Sequence, residues 1–335
     1  MILPDYKKQA GLTMLEILIV MGLSVVLLSG LVEIVLAHQQ TNRLQKGLSE
    51  IQANGRFAID YLRMDLRRAG YAGCLSGGLA NADSQLTTAT AAGYQTALVE
   101  DNSYEQSFSS SSPGANSDSI QVTSALGSGA NLTTNMASEL VAIQVTGGSD
   151  IKKDSVVVIS NCEDGDLFYV TKITDTSGSG DFDDCAAAGS SCLLEHTVGA
   201  NNQSASLSKR YQTDAIVFPL QSRVYSIRTE TGYENSLQVN GAGKLIEGIE
   251  NMQILYGEDG TDVDLVADYY VPLDEVVDIS NVVSLKISML MRSSEDNLSH
   301  EAMKYDFSGS ANLTGPDKRL RKVFNTTIAL RNKLR

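Results

Sequence analysis

The sequence predicts an α+β fold in which one long N-terminal helix packs on a large, antiparallel β-rich domain. Three observations predict it. An uncharged apolar run extends from Ile17 to Val32. An amphipathic repeat with steps of three or four residues then continues to Ala69, as expected for a helix with one buried face. Beyond Cys74, short runs of β-branched and aromatic residues alternate with turn residues, which is typical of strands.

The apolar run is long enough to cross a membrane, since about 20 apolar residues suffice. Glu16 lies at its start. Inserting a carboxylate into a membrane costs roughly 2.5–3.5 kcal/mol at the bilayer centre and less near the interface. Glu16 is therefore a candidate functional residue. An ordinary signal peptide or anchor is the simpler interpretation. However, a secretory signal has its small-residue cleavage site after the apolar region, and here the small pair Ala10 and Gly11 precedes it.

This order of features resembles a type IV prepilin: a short basic leader ending in Gly, a cut just after it, and a Glu at the fifth mature position. Gly11 matches the last leader residue, Leu12 the new N-terminus and Glu16 the Glu. The usual first mature residue is Phe, where this chain has Leu12. The resemblance implies that a prepilin peptidase cuts between Gly11 and Leu12 and methylates the Leu12 amine. It also implies that Glu16 pairs with that amine of a neighbouring subunit.

The helix is expected to continue well past the apolar run, because no proline occurs between Pro4 and Pro113. Leu12 to Ala69 would form about 58 residues of helix, roughly 85 Å long, ending at the glycines of residues 70–73. The expected buried stripe is Leu44, Leu48, Ile51, Gly55, Ala58, Leu62, Leu66 and Ala69.

Residues 55–74 narrow the resemblance. Their Arg-Phe-Ala, Ala-Gly-Tyr and Gly-Cys elements, at residues 56–58, 69–71 and 73–74, are similar to those of PilW-type minor pilins. Residues 245–257 and the closing Leu-Arg-Asn of residues 330–332 are similar to both PilW-type pilins and J-type pseudopilins of type II secretion. The resemblance implies a type IV pilin-like fold.

Four regions follow from these features. They are a leader at 1–11, the transmembrane or filament-core half of the helix at 12–37, its amphipathic half at 38–73, and a periplasmic β-rich domain at 74–335. Long polar loops are expected near 75–136 and 174–191, and residues 244–257 fit either a helix or a bulged strand. The predicted strands are 119–123, 140–145, 155–160, 167–170, 215–218, 222–228, 237–239, 282–291 and 323–330.

The net charge of −14 argues against direct nucleic-acid binding, because an acidic surface repels phosphates. Two local basic groups are interpreted as solvated faces or as partners for the excess acid. These groups are Arg56, Arg63, Arg67 and Arg68, and Lys318, Arg319, Arg321 and Lys322.

The four cysteines indicate disulfides, since their number is even and the chain carries an export segment. The basic pair at residues 7–8 would stay in the cytoplasm, which places the domain in the oxidising periplasm. Of three possible pairings, we favour Cys185–Cys192, which closes a short loop, and Cys74–Cys162, which would tie the helix end to the sheet. The alternative is that some are free or buried thiols.

The acidic loop after residue 257 could hold calcium, because calcium binds clustered carboxylate oxygens. Its candidate ligands are Asp259, Asp262, Asp264 and Asp268, although their spacing is not that of an EF-hand and a plain acidic turn is the simpler interpretation. No other cofactor is expected. The three histidines, at positions 38, 196 and 300, lie in no recognised catalytic motif, so no enzyme activity is predicted.

The resemblance implies a minor pilin that assembles with other minor pilins into a priming and tip complex of a type IV pilus. Its implied partners are those minor pilins, the major pilin, a tip adhesin, the prepilin peptidase and the inner-membrane assembly platform. Its implied locations are the bacterial inner membrane, as a single-pass protein, and then the pilus tip. Two alternatives stay open: a J-type pseudopilin of type II secretion, and a membrane-anchored periplasmic binding domain or adhesin outside any filament.

Overall fold

A long helix and a large β-rich domain make up the protein, which confirms the predicted α+β class. The computed structural model describes residues 13–75, 77–87, 90, 98–99, 117–147, 149–228, 235–239, 242–260 and 264–333. Helix α1 is Met14–Leu66. The described strands are β1 Ala82–Ser84, β2 Leu98–Val99, β3 Ile120–Ala125, β4 Ala130–Asn131, β5 Ile143–Thr146, β6 Val156–Ser160, β7 Gly165–Tyr169, β8 Lys172–Thr174, β9 Ser191–Glu195, β10 Ile216–Arg228, β11 Ser236–Val239, β12 Ala242–Glu247, β13 Ile249–Glu258, β14 Tyr269–Val271, β15 Val282–Arg292, β16 Lys304–Phe307, β17 Ser310–Thr314 and β18 Arg321–Ala329.

Helix α1 is somewhat shorter than the predicted span of residues 12–69. Thr13 is its N-cap, and Leu12 lies outside the described residues. At the other end, Gly70 takes a φ of 73° and donates its N–H to the carbonyl of Thr123 over 2.9 Å. Because glycine adopts this left-handed conformation without a Cβ clash, the chain leaves the helix here and joins the sheet.

The buried face of α1 begins later than its sequence pattern predicts. Leu44 and Leu48 are 37% and 40% exposed, so their assignment to the buried stripe is wrong. Gly47 is buried instead, and a Cβ on it would lie 2.7 Å from Leu298 Cδ1. A Cβ on Gly55 would lie 2.5 Å from the Phe324 ring. The helix therefore docks where the domain comes closest to two glycines, Gly47 and Gly55. A pattern of large apolar residues does not reveal such positions, because glycine has no side chain.

The helix docks on a four-stranded antiparallel sheet in the order β14-β13-β15-β18. Ile51, Ala58 and Leu62 are almost fully buried and share one hydrophobic core with this sheet and with parts of β3, β10, β11 and β12. Transfer of apolar side chains out of water, at about 25 cal/mol per Å² of buried area, is the main force holding the helix to the domain.

The largest described sheet has nine strands and is organised around β10. β10 unites two predicted strands, 215–218 and 222–228, across Pro219. Its first residues pair with β4 and β6, and residues from Leu220 onward pair with β3 and then β11. Pro219 thus lies where the strand changes partners, a position at which the missing N–H of proline is tolerated.

A third described sheet, β5-β9-β8, covers a separate core. Strands β8 and β9 border the predicted polar loop at 174–191 and leave turns and bends between them. The predicted polar region at 75–136 is only partly loop, since β1, β2, β3 and β4 lie within it. Residues 76, 88–89, 91–97 and 100–116 are outside the described part of the chain. Strands β16 and β17 form a separate hairpin.

The ambiguous segment at residues 244–257 is extended. It contains the end of β12 and most of β13, separated by Gly248 with a φ of 84°. The pairing of β13 with β15 shifts register beside Ile249 and again beside Glu258. The bulged-strand interpretation is therefore the correct one.

Candidate assembly site

Two parts of the protein form the candidate assembly site. The first is the start of α1, with Glu16 and the apolar residues after it. The second is the junction at which the C-terminal end of α1 joins the domain, defined here by Asp65, Ala69, Gly70 and Cys74.

At its start, α1 is closed by a capping box. The Glu16 carboxylate accepts hydrogen bonds from the backbone N–H and the hydroxyl of Thr13, each over 3.1 Å. Thr13 Oγ1 in turn accepts the Glu16 N–H over 3.3 Å. This arrangement satisfies two backbone donors that every helix leaves free at its N-terminus. In the single chain, Glu16 thus has a partner within its own first turn.

Among the described residues, nothing packs on the first half of α1 closely enough to bury it. Every large apolar side chain from Met14 to Leu36 is at least 45% exposed. Within the described residues, α1 is the helix that is long and apolar enough to cross a membrane. Exposed apolar surface of this extent requires a lipid or protein environment.

Polar side chains inside this apolar half are satisfied by the helix itself. The Ser24 hydroxyl donates to the Val20 carbonyl over 2.7 Å, and the Ser29 hydroxyl donates to the Val26 carbonyl over 2.8 Å. Neither side chain needs water, so both are compatible with the interior of a bilayer.

At the junction, the buried Asp65 carboxylate binds the sheet to the helix. It accepts a hydrogen bond from Arg223 Nη1 over 2.6 Å, one from the Tyr225 hydroxyl, and one from Arg68 Nη2 over 2.9 Å. Arg223 and Tyr225 lie on β10, so this carboxylate connects α1 to the centre of the largest sheet.

Sequence reasoning did not identify Asp65 as a site residue. The available signal was its position three residues after Leu62 and next to Leu66, on the apolar face of a helix. A carboxylate on a buried face requires partners, because an unpaired buried charge is strongly unfavourable.

The electrostatics of the junction favour the charged form of Asp65. Burial alone would raise its pKa, but the hydrogen bonds from Tyr225, Arg223 and Arg68 outweigh burial and hold the pKa of Asp65 below its ordinary value of 3.8. Burial, with the hydrogen bond to Asp65, raises the pKa of Tyr225. The hydroxyl of Tyr225 therefore remains a donor at neutral pH.

This pKa shift predicts acid sensitivity of the junction. Because the folded pKa of Asp65 lies below its unfolded pKa, its contribution to stability is present above about pH 4 and is lost as the pH falls through the folded value. We expect the wild-type unfolding free energy to fall more steeply below pH 4 than that of Asp65→Asn. Urea titrations followed by circular dichroism would measure it, with the exposed Asp60→Asn as the matched control. Equal pH slopes in all three proteins would contradict the assignment.

Further bonds tie the same end of α1 to the domain. The Asn332 side chain donates to the Ala69 carbonyl over 3.0 Å, so the C-terminal part of the chain meets the helix end. The disulfide Cys74–Cys162, with a Cα–Cα distance of 4.5 Å, attaches the segment after α1 to the turn between β6 and β7. The second disulfide is Cys185–Cys192. Both are the pairings favoured from sequence.

The remaining sequence candidates divide into two groups. Gly11, Leu12 and Asp262 lie outside the described residues. Asp259, Asp264 and Asp268 each accept a backbone N–H of their own loop, over 2.8–2.9 Å. Among the described residues, no cluster of three or more His, Cys, Asp or Glu side chains has metal-binding geometry.

Comparison with known protein families supports one assignment for part of the chain. Residues 221–332 match the model of the family described as Type IV Pilus-assembly protein W. The matched part begins inside β10 and ends after β18, so it contains the four-stranded sheet on which α1 docks. No curated protein and no solved structure matches the chain. The match supports a role in type IV pilus assembly.

Proposed function

We propose, from the match of residues 221–332 to the pilus-assembly family, that this chain is a PilW-type minor pilin. It assembles with other minor pilins into a complex that primes the type IV pilus and stays at its tip. The observation that carries the proposal is that the matched sheet holds a helix whose apolar first half extends away from it, exposed. The sequence upstream supports it through Gly11, Leu12 and Glu16.

The proposed mechanism begins with α1 in the inner membrane and the β-rich domain in the periplasm. Apolar side chains gain nothing from leaving lipid, so assembly exchanges lipid contacts for packing against other pilin helices. After cleavage, the Glu16 carboxylate exchanges its neutral donors on Thr13 for the charged amine of Leu12 in a neighbouring subunit. A charge-assisted bond is stronger than a neutral one and costs more when lost in an apolar setting, so correct axial stagger is favoured.

The size of the domain supports a tip position. A bulky domain hinders the close lateral packing of a continuous filament, whereas one or a few copies fit at its end. The proposed partners are therefore other minor pilins, the major pilin, a tip adhesin, the prepilin peptidase and the inner-membrane assembly platform. Adhesion, twitching motility and DNA uptake would follow from the filament rather than from chemistry in this chain.

The decisive test is the intact mass of the mature protein from host cells with and without the prepilin peptidase. We expect loss of residues 1–11 and one added methyl group on Leu12, both dependent on the peptidase. An uncut chain, or one cut beyond Ala37, would contradict the proposal and leave an anchored or secreted periplasmic domain.

A second measurement tests the role of Glu16. We expect Glu16→Gln to be cleaved normally but to reach sheared pili at less than about a tenth of the wild-type level, since a difference of 1.4 kcal/mol changes an equilibrium tenfold. Glu33→Gln is the matched control, because Glu33 lies on the same helix about 25 Å away. Equal incorporation of both variants would exclude a register role for Glu16.

A further inference from the structure

Strand β18 is a long, regular edge of the four-stranded sheet. It pairs with β15 over nine consecutive residue pairs, from Ser284 with Ala329 to Arg292 with Arg321, without a register shift. The strands at the other ends of the two largest described sheets are shorter or less regular: β1 and β14 have three residues each, and β12 has two register shifts against β11.

The hydrogen-bond pattern identifies which backbone groups of β18 face outward. Leu330 N–H donates to the Val283 carbonyl and Ser293 N–H donates to the Leu320 carbonyl, each over 2.9 Å. In an antiparallel ladder, alternate residues bond to the partner strand. The even-numbered residues of β18 therefore bond to β15. The odd-numbered residues direct their N–H and C=O groups away from the sheet.

Arg321 follows this pattern, since its N–H points outward and reaches Met303 Sδ at 3.2 Å. The outward groups beyond it belong to Val323, Asn325, Thr327 and Ala329. In the part of the chain that the structure describes, no second strand pairs with this edge. These four residues thus present up to eight backbone donors and acceptors, spaced as in a sheet.

Among the described residues, protection of this edge is confined to its start, where the charged Lys322 lies and where Met303 covers the N–H of Arg321. Proteins shield exposed edges with proline, a bulge, charged side chains or a covering segment. Residues 321–329 contain no proline, and their pairing contains no bulge. Asn325, Thr327 and Ala329 are exposed. The stretch from Val323 to Ala329 has no proline, bulge or charged side chain and is suited to accept another strand.

A groove beside the edge provides space for side chains. It has a volume of about 510 Å³ and lies between the outer face of the sheet and the β16–β17 hairpin. Val323 and Asn325 of β18 line it together with Lys286 and Asp306. Side chains opposite one another on paired strands lie on the same face, so a strand added beside Val323 would direct alternate side chains into this groove.

Charge indicates which strand fits. Lys318 and Lys322 lie at one end of β18 and Arg331 at the other, and none of them forms an ion pair among the described residues. Two copies of β18 related by a two-fold axis would pair antiparallel and bring Lys318 and Lys322 close to Arg331 of the other copy. Like charges opposite one another destabilise strand pairing. An acidic strand from a different protein avoids this repulsion.

We propose that the outward edge of β18, from Val323 to Ala329, is a strand-addition site for an extended segment of another protein that carries carboxylates at both ends. The backbone of the segment pairs with the four odd-numbered residues, its carboxylates meet Lys318, Lys322 and Arg331, and alternate side chains occupy the groove. The site does not depend on the proposed filament, because any protein presenting such a segment can fill it.

Residue-resolved hydrogen exchange on the full-length protein in detergent micelles tests the proposal. The probe is a synthetic nine-residue peptide of alternating Thr and Val with Asp at both ends, and the matched control has Lys at both ends. In the free protein we expect rapid exchange at the amides of Val323, Asn325, Thr327 and Ala329. The acidic peptide should slow exchange at these amides at least tenfold and leave the even-numbered amides unchanged, while the basic peptide should not.

Variants at one position separate pairing from folding. Thr327→Pro removes an outward N–H without touching the ladder to β15, so it should abolish protection by the acidic peptide, whereas Thr327→Val should keep it. If the even-numbered amides stay protected in Thr327→Pro, that variant is folded. If they do not, Asn325→Pro takes its place in the experiment. Four results would overturn the proposal: protection of the odd-numbered amides in the free monomer, protection that depends on protein concentration, equal protection by both peptides, and protection by neither.

Discussion

We expect Asp65→Ala to lower the unfolding free energy of the domain by about 2–3 kcal/mol. Removing one partner of a buried ion pair costs roughly 3–5 kcal/mol because the other charge stays behind. The cost is smaller here because Arg223 is partly exposed and recovers some hydration. The Tyr225 hydroxyl loses its acceptor as well, which adds the penalty of an unpaired buried donor.

The matched control for Asp65→Ala is Asp60→Ala, on the same helix. Asp60 forms an ion pair with Arg63, but its side chain is 70% exposed. Exposed pairs contribute at most about 1 kcal/mol, so this variant should change stability little. Urea unfolding followed by far-ultraviolet circular dichroism would measure both. Equal losses in the two variants would show that Asp65 does not anchor the helix.

The second large effect concerns the two disulfides. Replacing Cys74 and Cys162 with Ser should destabilise the domain by about 4–5 kcal/mol, the chain-entropy value for the loop of roughly 90 residues that the bond closes. Replacing Cys185 and Cys192 is the matched control. It opens a loop of roughly eight residues and should cost about 2–3 kcal/mol.

Unfolding of both double variants under identical oxidising conditions would measure the difference. The test is which double variant loses more unfolding free energy. This order is more informative than either absolute value, because both variants replace two cysteines with serines. If the variant without Cys185–Cys192 proved the less stable of the two, packing of those two fully buried sulfurs, rather than loop closure, would dominate.

The sequence predicted the parts of this fold that depend on local pattern. Strands such as β6 and β15 are rich in β-branched or aliphatic residues, and their limits agree with the prediction to within one or two residues. The helix was also predicted from a local pattern, namely an apolar run followed by apolar residues at steps of three or four. The cysteine pairing was predictable because one pair is separated by only seven residues.

Features that depend on contacts between distant residues were not predictable. Gly47 is buried because Leu298 packs over it, and nothing within the helix sequence indicates Leu298. The continuity of β10 through Pro219 depends on neighbouring strands that change at that residue. Asp65 became recognisable as an anchor only when β10 placed Arg223 and Tyr225 beside it.

The position of Cys74–Cys162 has a mechanical consequence. A pull along α1 loads its docked face first, and the covalent path then enters the domain at residues 66–74, where the disulfide connects it to the turn after β6. The chain between the two cysteines is thereby removed from the loaded path and cannot be stretched out while the bond is intact. In the proposed filament, a retraction force would therefore reach this covalent link after the docked face of the helix, and residues 75–161 could not lengthen the path between the two cysteines.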